Sequence, residues 1–145
     1  MSITRDRMPW LIDVNVFMTP ISHTNFNTNT ATDINAIRNG YRSSSGAQND
    51  SISFDVILAA GTWDIELLHL KSTNHGIFSV QLDDVAQGTI DAYNASGTYN
   101  NHSSVTGINI STSGKKRLTL KMAMKNASSS SYYGRIQHIQ LRRTA

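Results

Sequence analysis

The segment that most constrains the fold runs from Gly114 to Met124. Leu118, Leu120, Met122 and Met124 fall on one side of an extended chain, and Arg117, Thr119, Lys121 and Ala123 fall on the other. A period of two marks a strand with one face buried and one in water, and an α-helix does not produce it. The pattern recurs along the second two-thirds of the chain. Ile52, Phe54, Val56 and Leu58 alternate with Ser51, Ser53 and Asp55. After Ala59, Ala60 and Gly61, the residues Trp63, Ile65 and Leu67 point one way, while Asp64 and Glu66 point the other. The two runs read as a hairpin around the Ala-Ala-Gly turn. Phe78, Val80 and Leu82 face one side and Ile77, Ser79 and Gln81 the other; Asp83 and Asp84 then make a turn into a fourth strand over residues 85–93. Residues 94–104 read as a polar loop, Val105, Ile108 and Ile110 as a short strand, and residues 135–142 as the last strand, after a serine run at 128–131.

About seven short strands separated by turn signals predict an all-β fold, an antiparallel sandwich or barrel. Composition agrees: the 145 residues include 13 Asn, 18 Ser and 14 Thr, types that turns and exposed strand faces accept and helix interiors do not. With no cysteine there is no disulfide framework and no thiolate zinc site. No apolar run approaches the roughly 18–20 residues that span a bilayer, and the first ten residues do not read as a secretion signal. A chain of this length is expected to form one domain.

Two units are expected within it. Residues 50–145 form the sandwich, and residues 1–49 form an extended N-terminal arm with one strand over residues 10–17. Residues 22–32 of the arm are polar, with little to bury, and Thr32 is placed to cap a short helix over residues 33–39 that Gly40 would stop. Such an arm needs a partner surface to offset its ordering entropy, so Trp10, Leu11, Phe17 and Phe26 are its candidate partner-binding residues. Charge is also divided. Residues 1–91 carry five Lys/Arg and all ten acids, and residues 92–145 carry eight Lys/Arg and no acid. Either strands of the two halves interleave in one fold, or copies meet head to tail, with a trimer the expected assembly.

Candidate chemistry is sparse. The histidines His23, His69, His75, His102 and His138 show no metal-ligand spacing, so no metal or cofactor is expected. Asp64 and Glu66 share a strand face at a separation of roughly 6.5–7 Å, a distance that paired acid chemistry tolerates and that a solvated strand face explains as well. No nucleophile elbow, phosphate loop or dinucleotide fingerprint occurs, and the protein reads as non-enzymatic. Lys115, Lys116, Arg117, Lys121 and Lys125 lack interleaved aromatics, which argues against nucleic acid as a partner. Tyr93, Asn94, Tyr99, Asn101, His102, Tyr132 and Tyr133 cluster in or beside predicted loops. Aromatic faces beside amide side chains suit sugar rings, and they suit protein contacts too.

Residues 59–65, Ala-Ala-Gly-Thr-Trp-Asp-Ile, resemble a hairpin of the galactose-binding-like jelly rolls found in many carbohydrate-binding modules. So do residues 78–89, Phe-Ser-Val-Gln-Leu-Asp-Asp-Val-Ala-Gln-Gly-Thr, and, further on, residues 114–120 and 135–141. The resemblance implies a jelly-roll β-sandwich. Gln137 and Gln140 stand where such modules carry an acid in the last strand, so the calcium associated with that acid is not expected here. Residues 40–50, 91–97, 125–133 and 137–144 also resemble a module of bacteriophage virion structural proteins. That second resemblance implies a capsid decoration or cement protein, located in the virion, whose partners are its own copies and virion proteins such as the major capsid protein. The alternative is a carbohydrate-binding tip of a tail fibre or a carbohydrate-binding module.

Overall fold

The computed structural model describes residues 10–12, 20–31 and 40–145, and the strands within them build two facing antiparallel sheets. In chain order they are β1 (Trp10–Ile12), β2 (Ser22–Thr24), β3 (Phe26–Ala31), β4 (Gly40–Ser43), β5 (Ser51–Leu58), β6 (Gly61–Lys71), β7 (Ile77–Leu82), β8 (Val85–Asp91), β9 (Thr98–Ile110), β10 (Gly114–Met124) and β11 (Arg135–Arg143). One sheet has the order β3-β4-β11-β6-β9, with β1 also paired to β11. The other has the order β2-β5-β10-β7-β8. Among the described residues there is no helix. The predicted jelly-roll sandwich is the observed fold.

The core lies where the alternating residues of both sheets meet. Leu118, Leu120 and Met122 of β10 are fully enclosed, facing a cluster that includes Trp63, Ile65 and Leu67 of β6 and Ile136 and Ile139 of β11. Each such side chain contributes roughly 1.5–3 kcal/mol by leaving water, which makes the inward rows, rather than the loops, the source of stability. Met124 departs from the expected row and is 47% exposed. A bulge between Met122 and Met124, where β10 pairs with β7, breaks the period of two and turns the last residue outward.

The turn at Ala59, Ala60 and Gly61 is not a hairpin. Leu58 pairs with Gly114 in one sheet and Gly61 pairs with Ile110 in the other, so these residues arch from sheet to sheet. Alternation fixes which side chains face inward, but not which strand pairs with which, and the arch buries both rows equally well. It is pinned from three directions: the Trp63 indole N–H donates to the Ala59 carbonyl at 2.9 Å, Arg143 donates to the Ala60 carbonyl at 2.7 Å, and the Ala60 N–H donates to Ser113 Oγ at 2.7 Å. By contrast β7 and β8 form the expected hairpin. Asp83 and Asp84 both adopt positive φ, 48° and 65°, as a tight turn of that handedness requires.

Residues expected to form a loop at 94–104 are in large part strand, because β9 begins at Thr98 and runs for 13 residues. As the edge of its sheet β9 keeps much of its surface in water, and its polar sequence follows from that position. The arm differs from expectation more. Its described residues carry four strands where one was expected: β1 beside β11, β2 beside β5, and β3 and β4 continuing the sheet past β11. Phe26, assigned to a partner, is 3% exposed and packs in the core together with Tyr41. Trp10 and Leu11 pair with Leu141 and Gln140 of the same chain. Phe17 and the short helix over residues 33–39 lie outside the described residues.

Interleaving also accounts for the divided charge. Lys115 with Asp55, Lys116 with Asp83, Arg142 with Asp64, and His102 with Glu66 each join a basic residue of the second half to an acid of the first.

Candidate functional site

Four connections gather at one end of the sandwich, because β4, β6, β8 and β10 all run towards it: residues 44–50, 72–76, 92–97 and 125–134. Their polar sequences leave little to bury, so backbone hydrogen bonds between loops hold them. Ser72 N–H donates to Ala92 O at 3.1 Å, Ser130 N–H to Thr73 O at 3.1 Å, Gly76 N–H to Tyr133 O at 2.8 Å, and Tyr132 N–H to Gly46 O at 3.2 Å. Ser129 ties the group from below, donating through Oγ to the His75 carbonyl at 2.7 Å. Short bridges join Ser72 to Tyr93 and His75 to Tyr133.

A cleft of about 320 Å³ opens among these loops. Arg42, Ser43 and Ser44 form one wall, Asn74, His75 and Leu70 another, and Tyr133, Gly134 and Arg135 the third. The Ser43 wall is braced by the buried Asp50. Its carboxylate accepts from Ser43 Oγ at 2.5 Å, Ser45 Oγ at 2.8 Å, Asn25 Nδ2 at 3.0 Å and the Ala47 N–H at 3.1 Å. Burial opposes ionisation of Asp50, but these donors together outweigh it and hold its carboxyl below the ordinary range.

Two histidines near this end are buried, His75 in the cleft lining and His69 on β6 beside Leu70, and burial disfavours the charged form of both. Burial, opposed by a bond to the Leu70 carbonyl and reinforced by Arg135, lowers the pKa of His75. Its Nδ1 lies 3.0 Å from that carbonyl, which only accepts, so Nδ1 carries the proton. Burial brings His69 down to about 4. His69 Nε2 is 2.8 Å from Ser103 Oγ, and its ring meets Phe78 edge-on, with centroids 6.1 Å apart.

Of the seven predicted loop residues, Tyr133 lines the cleft. Tyr132 lies half-buried against the core with Lys125 Nζ 5.4 Å from its ring centroid. Tyr93 and Asn94 sit at the same end, where the Asn94 N–H donates to the Ser72 carbonyl at 3.3 Å. Tyr99, Asn101 and His102 belong to β9. The Asn101 amide donates to the His69 and Thr98 carbonyls, and His102 pairs with Glu66 at 2.7 Å. Arg42, Ser43, Asn74 and Arg135 were not singled out from sequence. A serine, an asparagine or an arginine near a turn has no signature until the fold brings it to a cleft.

Other candidates resolve into surface pairs. Asp64 accepts from Arg142 at 3.1 Å and from the Gly107 N–H at 3.0 Å, while Glu66 accepts from His102 and Ser104. Lys115, Lys116 and Arg117 line a shallower recess of about 230 Å³ together with Asp55, Asp83 and Asp84. Among the described residues no group of three or more His, Asp or Glu side chains is placed to hold a metal ion.

No family model and no curated protein matches the chain. Its fold is shared with carbohydrate-binding modules of known structure. A Paenibacillus xanthan lyase superposes with a TM-score of 0.77 at 21% identity, over 99% of this chain and 14% of the lyase. The CBM36-1 domain of a multidomain xylanase, from the hindgut metagenome of Trinervitermes trinervoides, gives a TM-score of 0.65 at 17% identity, covering 95% of this chain and 99% of that one. A family 6 carbohydrate-binding module from Clostridium cellulolyticum, solved in complex with xylose, gives 0.61 at 14% identity, covering 94% of this chain and 97% of that one.

Proposed function

We propose that this jelly-roll protein is a non-catalytic carbohydrate-binding module whose ligand sits in the loop-end cleft. The observation that carries this reading is the composition of the cleft around Tyr133: an aromatic side chain beside Asn74, Ser44 and the exposed Arg42. Sugar rings present apolar C–H faces and a rim of hydroxyls, which such a set recognises by stacking and by hydrogen bonds in fixed directions. A volume of about 320 Å³ lies at the small end of ligand sites and suits one or two sugar residues. Modules of the same fold that bind sugars, such as the one solved with xylose, support the reading. The structures named above include no virion protein, so the decoration-protein expectation gains no support from them.

Affinity electrophoresis of the protein through gels containing xylan, β-glucan, mannan or an acidic polysaccharide tests the proposal. Retardation by at least one of these, lost in Tyr133→Ala and kept in Tyr133→Phe, is the expected result. Removing the stacking face is expected to weaken binding about ten-fold or more. Equal retardation of wild type and Tyr133→Ala would move the site elsewhere.

A further inference from the structure

His75 lies in the loop after β6, and its backbone is tied on both sides. Its N–H donates to the Ser72 carbonyl at 3.2 Å, and its carbonyl accepts from Ser129 Oγ at 2.7 Å. Tyr133 is bridged to it: the Tyr133 N–H donates to the Asn74 carbonyl at 3.1 Å, and the Gly76 N–H donates to the Tyr133 carbonyl at 2.8 Å. Residues opposed in this way present their side chains to the same side, so the imidazole and the phenol ring stand next to each other in the cleft lining.

The imidazole is held as well. Nδ1 carries the proton and donates to the Leu70 carbonyl at 3.0 Å, and burial disfavours the charged ring, which leaves Nε2 as an acceptor. Nε2 has no hydrogen-bond partner among the described residues, and it is not one of their sealed polar atoms that lack one. It therefore reaches open space. Because His75 is 6% exposed and lines the cleft, that space is the cleft. A ligand that fills the cleft displaces water from this nitrogen, and an enclosed acceptor left without a donor costs binding free energy.

We propose that His75 Nε2 accepts a hydrogen bond from a hydroxyl of the saccharide whose ring rests on Tyr133, and so selects glycans with a free hydroxyl at that ring position. The Ser44 hydroxyl and the Asn74 amide of the same lining both donate and accept, and they tolerate either kind of ligand group. A neutral Nε2 only accepts and requires a donor, which a methylated or deoxygenated position does not offer. The inference rests on the carbohydrate-binding reading of the same cleft and adds the group that the ligand must present.

The test is long-range proton–nitrogen correlation of the imidazole groups in the intact, isotope-labelled protein at neutral pH, titrated with xylotriose, cellotriose, mannotriose and a glucuronate-bearing xylo-oligosaccharide. The free protein is expected to show His75 protonated at Nδ1 and bare at Nε2. At least one probe is expected to move the Nε2 resonance towards its hydrogen-bonded position and to leave Nδ1 in place. By isothermal titration, His75→Leu is expected to bind that probe about ten-fold more weakly, and His75→Gln, which keeps a side-chain acceptor, to retain more of the affinity, with circular dichroism confirming both folds. A free protein with the proton on Nε2 overturns the inference, and so does wild-type affinity in a folded His75→Leu. A probe that shifts the Tyr133 amide but not His75 Nε2 also overturns it and leaves the carbohydrate reading standing. If no probe moves either signal the inference falls, and the carbohydrate reading falls with it unless a polysaccharide gel retards the protein.

Discussion

The ring of Tyr133 lies against the backbone of Gly46: a Cβ added at Gly46 would stand 2.6 Å from Tyr133 Cε2 and 2.7 Å from Ser131 Oγ. Gly46 also has φ +64°, a conformation in which a side chain meets its own backbone. The loop over residues 44–50 thus serves as the floor on which the cleft tyrosine rests. Gly46→Ala is expected to cost on the order of 1–2 kcal/mol in urea unfolding and to displace the ring, weakening glycan binding more than the stability loss explains. Unchanged affinity in a folded Gly46→Ala variant would show that the position of Tyr133 does not matter to binding.

Leu120 and Met124 lie on one strand, two turns of the pleat apart, and the bulge between them separates their fates. Leu120→Ala should destabilise by about 2–5 kcal/mol, as enclosed leucines do. Met124→Ala should stay within about 0.5 kcal/mol of wild type, the range of ordinary surface changes. Equal losses at both positions would mean that the alternation continues unbroken and that the bulge is absent.

Phe26 and Tyr41 place part of the arm inside the core, so removing residues 1–43 strips β1, β2, β3 and β4 from two sheets. The shortened chain is expected to lose its cooperative unfolding transition, and Phe26→Ala alone to cost about 3–5 kcal/mol. A truncated protein with wild-type stability would return these residues to the role of a separable arm.

Acid should weaken the protein through its buried histidines. His69 is held at about 4 and His75 is also lowered, both below the ordinary histidine value of 6.5. Between the two values the unfolded chain binds protons that the folded chain refuses. Stability is therefore full above about pH 6.5 and falls as the pH drops towards 4, by on the order of 3 kcal/mol for His69. Asp50 acts in the same sense at lower pH: its folded pKa is depressed, so its contribution is lost as acid protonates it. Urea midpoints from pH 7.5 to 4.5 check the slope, which His69→Gln should flatten. A midpoint that rises with acid would contradict the neutral, buried state of these rings.

The inward rows of β5, β6, β7 and β10 were legible in the sequence because alternation reports directly on which face leaves water. The β7–β8 hairpin was legible because two consecutive aspartates mark a turn with left-handed residues. Partner choice was not. Leu58 and Trp63 alternate identically whether their strands pair or face each other, and only the packed interior separates the two cases. The early strands hid for a related reason: edge strands such as β3 carry few apolar residues, and Phe26 alone signals burial there. In the cleft, Tyr133 stood out by its chemistry, whereas Arg42 and Asn74 belong to the lining only because the fold brings β4 and the loop after β6 to the same end.

The central claim is that sugar binds at the loop end, and backbone amide chemical shifts of the isotope-labelled protein, titrated with xylotriose and with a glucuronate-bearing xylo-oligosaccharide, test it most directly. Changes confined to residues 42–46, 72–76 and 131–135 with at least one of the two are the expected result. Shifts centred instead on the outer face of either sheet, or no shift with either sugar at millimolar concentration, would contradict it.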